Sequence, residues 1–127
     1  MIIDFHTHIF PDELAKRAMD ALTSELITPL TPVADGTRAG LLKHMDLSGV
    51  NISVLQPVVT KQSQTVKLNE WTASIQSGRL ISFGGIYPRT DDYRRDIDFA
   101  VSLGFKGLKF HPEYQQFIID EPRALKL

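Results

Sequence analysis

Four short apolar runs, each handed on to a segment with helical spacing, constrain this chain more than any other feature. They are Ile2, Ile3 and Phe5; Ile52-Ser53-Val54-Leu55-Gln56; Leu80-Ile81-Ser82-Phe83; and residues 105–112. Near-continuous apolar character suits parallel strands covered on both sides. Between the runs the spacing predicts helices. Over residues 11–26, Leu14, Ala18 and Leu22 form one row and Ala15, Met19, Leu22 and Leu26 form its neighbour. Thr37 caps a second helix, with Leu41, Leu42 and Met45 inward and Gly49 at its end. A third covers 63–77, where Leu68, Trp71 and Ile75 repeat at helical spacing before Gly78. Asp91 and Asp92 open a fourth, with Tyr93, Ile97, Ala100 and Val101 as its stripe and Gly104 as its end. Residues 28–35, with Pro29 and Pro32, read as an ordered loop. Such alternation gives an α/β fold with a parallel sheet and right-handed crossovers, its strands adjacent in the order 1-2-3-4.

The first strand bears the chemistry. Side chains alternate along a strand, which predicts Asp4, His6 and His8 on one face and Ile3, Phe5 and Thr7 on the other. Two imidazoles two residues apart can reach one divalent ion. Pro11, fixed in φ and lacking an N–H, then opens the following helix. The C-terminal end of a strand is where open α/β sheets and parallel barrels place their sites. Two surface histidines without a common partner are the plainer alternative. The close spacing, with an acid two residues earlier, favours the metal.

Cysteine is absent, which excludes disulfides, thiol catalysis and Cys-ligated zinc. A metal must therefore rest on His and carboxylates, and zinc suits neutral imidazoles, as do other divalent first-row ions. The fourth strand sets Lys109 and His111 on one face and Leu108 and Phe110 on the other. Gly84-Gly85 marks either a close backbone approach or a bulge. His44 reads as a helix-surface residue and Trp71 as a packing anchor. The formal net charge of −1 gives no bias towards nucleic acid or an anionic membrane. No apolar run approaches the ~20 residues of a membrane span. No basic region precedes the first apolar residues, as a secretory signal needs. The expectation is a cytoplasmic protein acting on a small molecule.

The residues Ile3-Asp4-Phe5-His6-Thr7-His8-Ile9-Phe10-Pro11, Ser48-Gly49-Val50, Gly78-Arg79-Leu80-Ile81 and the stretch from Leu103 to Pro112 carry a resemblance. The chain resembles the amidohydrolase-related branch of the metal-dependent hydrolase superfamily, which also includes aminocarboxymuconate-semialdehyde decarboxylase. The resemblance implies the N-terminal half of a TIM-type (β/α)8 barrel, with residues 1–127 a single partial domain that is cut short inside a helix starting near Asp120. It implies His6 and His8 as the first two metal ligands, with further ligands on later strands. Asp4, Lys109 and His111 would contact substrate or orient a ligand. The general base stays unassigned. The implied activity is hydrolysis of an amide, ester or lactone, or a related metal-dependent decarboxylation, impaired or absent in this chain alone.

Two rivals remain. A metal-dependent phosphoesterase of the polymerase-and-histidinol-phosphatase type also begins with Asp-x-His-x-His on a barrel strand. It usually continues with Ser or Asp-Gly signals, whereas this chain has Ile9-Phe10-Pro11-Asp12-Glu13-Leu14. The other rival is a non-catalytic half-barrel that serves as an interaction module. Either way, unpaired outer strand edges predict self-association.

Overall fold

The computed structural model describes residues 1–24, 32–122 and 124–126. Three strands, β1 (Ile3–Thr7), β2 (Ile52–Leu55) and β3 (Leu80–Ser82), form a parallel sheet in that order. A second parallel pair joins β4 (Gly84–Gly85) to β5 (Leu108–Lys109). The third apolar run is thus split at Phe83. The Phe83 N–H donates to Leu55 O at 3.0 Å, and the next, from Gly84, donates to Gly107 O at 2.9 Å. One stretch of chain therefore turns its hydrogen bonds from β2 to β5 within a residue. Every strand pairing among the described residues is parallel.

The helices are α1 (Asp12–Ser24), α2 (Arg38–Ser48), α3 (Thr65–Ser74), α4 (Tyr93–Ser102) and α5 (Pro112–Gln115). The longest, α1, has 13 residues, and no helix among the described residues is long and apolar enough to cross a membrane. The Thr37 side chain accepts from Gly40 N, and Gly49 closes α2 at φ 69° in the left-handed region that glycine tolerates. Met45 of α2 meets Ile9, Leu55 and Leu80 in the core, with Leu41, Leu42, Val50, Trp71 and Ile75 packed around them. Trp71 is a packing residue, as its spacing implied. Burying a side chain such as Leu80 is worth roughly 2–3 kcal/mol.

Several expectations are corrected. In α1 it is Ala15 that is buried, while Leu14 stays 38% exposed. In α4 the inward positions are Asp96 and Ala100, and Val101 is 65% exposed. Asp96 turns inward because Gln62 and Thr90, on other segments, donate to its carboxylate. The fourth strand stops at Lys109, since His111 caps α5 and Pro112 takes that helix's first position. Near the C-terminus, Ala124–Lys126 form a 3-10 turn rather than the start of an α-helix. The paired glycines serve close packing: a Cβ on Gly85 would lie 2.8 Å from Val59 Cγ2 and 3.0 Å from Pro57 O. The expected end of the first helix at 25–26, the first half of the loop at 28–35, and Arg123 and Leu127 lie outside the described residues.

Candidate metal centre

Strand β1 breaks the alternation on which its sequence reading rested. It pairs Asp4 with Ser53 and Thr7 with Leu55. Ser53 and Leu55, two apart, face the same side of β2. Asp4 and Thr7, three apart, can share that side only through an extra residue between them. The register is irregular at that point, as such a bulge requires. Asp4 therefore turns to the α2 side, where it lines a hollow with Leu41, His44, Met45, Ser48, Val50 and Ser53. His6 and His8 project from the other side. The Asp4 carboxylate accepts the backbone N–H of His6 at 3.1 Å, so it steadies the bulge and does not orient an imidazole.

Gln56 supports the same irregularity. Its side-chain amide donates to Phe5 O at 2.7 Å and its backbone N–H to Thr7 O at 2.9 Å. Thr7 Oγ1 adds a bond to Val54 O at 3.0 Å. The C-terminal end of β1 is thus fastened to β2 on both sides of the bulge. No residue pattern announced Gln56 as a support; only the register break gives it that role.

His6 and His8 stand side by side, ring centroids 5.0 Å apart. Lys109, the last residue of β5, brings its Nζ to 3.2 Å from His6 Nε2. The two nitrogens are within hydrogen-bonding distance there. Burial is the main force lowering the His8 pKa from 6.5 to about 4; the neighbouring charges of His6 and Lys109 add to it, with a smaller push from His111. The Gln56 backbone carbonyl acts the other way. His8 keeps an exposed edge, where solvent screens part of this effect, but the direction leaves it neutral at pH 7. Burial likewise lowers the pKa of Lys109. Three nitrogen bases therefore converge, and none of the ion pairs among the described residues includes Lys109.

His111 lies beyond this contact. Its Nδ1 accepts the Tyr114 N–H at a long 3.4 Å as it caps α5, and its ring tilts against Tyr114 with centroids 4.4 Å apart. The structure thus brings together His6, His8 and Lys109, keeps His111 nearby as a cap, and sends Asp4 to the other face. His44 is a surface residue, with Nε2 2.7 Å from Val33 O. Gln115 was not singled out from the sequence. Its buried amide donates to Val59 O at 2.7 Å and Ile86 O at 2.8 Å, while its carbonyl oxygen accepts from His111 N at 2.7 Å. It ties together the segments that follow β2, β4 and β5. The His111-Pro112-Glu113 sequence, a cap followed by Pro and an acid in the first turn, was the available signal for α5.

The donor set fits a divalent ion in part. Two imidazoles sharing a tetrahedral ion at ~2.1 Å hold their ring centres roughly 5 Å apart, as His6 and His8 do. Among the described residues no group of three or more His, Asp or Glu side chains gathers to hold a metal. Comparison of the chain with protein families, with curated proteins and with solved structures finds no match.

Proposed function

We propose that this chain is a divalent-metal protein of the amidohydrolase kind. The ion, zinc for preference, sits on His6 and His8, and the substrate is a small amide, ester or lactone. The related metal-dependent decarboxylation would use the same groups. One observation carries the reading: two imidazoles at ligand spacing, beside a lysine, at the meeting point of β1 and β5. The strand–helix order and its parallel pairings support placing them in the first half of a (β/α)8 barrel, at the end where such barrels keep their chemistry.

A divalent ion there supplies Lewis acidity, which activates water and polarises a carbonyl. The chain's own residues do the rest. A His8 that stays neutral at pH 7 offers its lone pair to a ligand rather than to a proton. Lys109 Nζ can donate to a substrate carboxylate, or to the oxygen that gains charge as a carbonyl is attacked. The His111 ring nitrogen not engaged in capping is left to hydrogen-bond substrate. The two donors gathered here among the described residues fall short of the three usual in catalytic zinc sites, so turnover by this chain alone is expected to be impaired.

Zinc titration by calorimetry is therefore the first test, run on the chain and on the His6→Ala/His8→Ala double variant. Binding that vanishes in the variant supports the reading, and a variant that titrates like the parent sinks it. Zinc-supplemented hydrolysis of generic esters and lactones, beside phosphomonoesters, then separates this activity from a phosphoesterase.

A further inference from the structure

Beside the rim a proline interrupts the hydrogen-bond ladder, and a side chain restores it. Along a strand, successive residues turn their N–H and C=O to opposite edges. Phe83 faces β2, donating to Leu55 O at 3.0 Å, and Gly84 faces β5, donating to Gly107 O at 2.9 Å. The next bond of the parallel ladder would bring the N–H of residue 57 to Phe83 O, but residue 57 is Pro and has none. Phe83 O accepts from the Ser82 hydroxyl instead, at 2.9 Å. Gly85, turned again to the β2 side, meets the fully buried Asn69 of α3. The Asn69 carboxamide accepts from Gly85 N at 2.8 Å and donates to Gly85 O at 2.8 Å. A carboxamide carries the same donor and acceptor as a peptide group, so it stands in for the strand where Pro57 interrupts it.

On its other side Gly85 stands in register with Lys109, the residue at which β5 ends. Lys109 in turn holds its Nζ 3.2 Å from His6 Nε2. A strand of two glycines has no side chains to lock its register, and Gly-rich strands slip. Something outside the β4–β5 pair must pin it. We propose that Asn69 is the positioning residue of the rim lysine: by clamping Gly85 from the β2 side, it fixes the register that sets Lys109 against His6. What Lys109 does at the rim rests on the metal reading above; its placement by Asn69 does not.

The test compares Asn69→Ala and Asn69→Asp with Thr72→Ala, which opens another buried position on the same helix and leaves the carboxamide in place. Two readouts follow Lys109 rather than stability. One is the NMR cross-relaxation between the Lys109 ε-methylene and the His6 ring, measured with chelator present. The other is zinc affinity by calorimetry, in the parent and in a Lys109→Met background. The parent and Thr72→Ala should show the cross-peak, and both Asn69 variants should lose it. Asn69→Ala should then bind zinc roughly fivefold more tightly, as Lys109→Met does, with no further gain when the two are combined, because the same repulsion is already gone. A cross-peak that is absent from the parent, unchanged in both Asn69 variants or lost equally in Thr72→Ala overturns the proposal. So do fully additive gains in affinity. Failure of both Asn69 variants to fold overturns it too, since the carboxamide would then serve the fold as a whole. If the parent binds no zinc while the Asn69 variants lose the cross-peak, the metal reading falls and the placement of Lys109 stands.

Discussion

Two polar clusters in this protein end in opposite states. Around Asp96, on α4, Thr90 Oγ1 donates at 2.7 Å, Gln62 Nε2 at 3.0 Å, and the Arg95 guanidinium at 3.0 and 3.1 Å. One buried carboxylate meets four donor atoms from three segments, and its charge is matched. At the rim, His6, His8 and Lys109 face one another with bases only. Burial, aided by the charges of His6 and Lys109, lowers the proton affinity of His8 instead of satisfying it. The first cluster is complete without a visitor and reads as structure. The second is incomplete in itself, and what it lacks is something that accepts nitrogen lone pairs.

The comparison breaks most readily through metal affinity. The His6→Ala/His8→Ala variant is expected to lose at least ~100-fold in zinc affinity, the order of magnitude for removing both protein ligands of a site. Its stability without metal at pH 7 should stay within about 1 kcal/mol of the parent, because neither ring belongs to the packed core. Calorimetry with urea denaturation reads both quantities. A large stability loss would mean that the rim is structural after all.

Asp96→Ala should do the reverse. It leaves Thr90 and Gln62 without their acceptor in a site where Asp96 is only 4% exposed. The expected loss is roughly 2–3 kcal/mol, with zinc binding unchanged. Urea denaturation and the same titration check it. An Asp96 variant as stable as the parent would remove the contrast between the clusters.

These clusters also mark where the sequence was legible. The α/β character and the inward face of α2 follow from period and capping signals, and the structure has them at Thr37, Met45 and Gly49, whereas α3 buries Thr65, Asn69 and Thr72 and leaves Leu68, Trp71 and Ile75 half-buried. The proximity of His6, His8 and Lys109 followed from strand ends, since parallel strands bring their C-terminal residues to one side. Asp4 was misplaced because strict alternation carries no mark of a bulge, and the bulge depends on Gln56, some fifty residues away. Asp96 was not singled out from the sequence, for a similar reason. Its partners Gln62 and Thr90 lie on other segments, and a buried carboxylate is recognisable only once its donors are in place. Local periodicity records which face is apolar, not which polar group will find company.

Acid separates the clusters by pH window. The His8 pKa falls from 6.5 to about 4 on folding, chiefly through burial. Its contribution to stability is thus full above 6.5 and is eroded as pH drops towards 4. For Asp96, burial alone would raise the pKa, but the bonds from Gln62, Thr90 and Arg95 prevail and hold it below the ordinary 3.8. Its contribution is full above 3.8 and is lost only as pH falls further, through the folded value. Denaturation midpoints measured from pH 7 to pH 3 should therefore decline in two stages. His8→Ala should flatten the upper stage and Asp96→Asn the lower. A single stage below pH 4, unchanged by His8→Ala, would remove His8 from the account.

The smallest expected effect concerns the one ammonium at the rim. Lys109 is buried along its stem, and its Nζ lies against the His6 lone pair that a metal would use. Lys109→Met keeps an unbranched chain of similar length and removes the cation. An ion arriving at His6 then no longer displaces a hydrogen bond or meets a positive neighbour. At an exposed, solvent-screened rim that repulsion is worth about 1 kcal/mol, so zinc should bind roughly fivefold more tightly. If Lys109 holds an anionic group of the substrate, the same change should weaken any zinc-dependent turnover of a carboxylate-bearing ester. The two effects run in opposite directions, and this separates a lysine that serves the substrate from one that serves the metal. Should Lys109→Met weaken zinc binding instead, the lysine nitrogen belongs among the ligands, and the rim already holds a third donor.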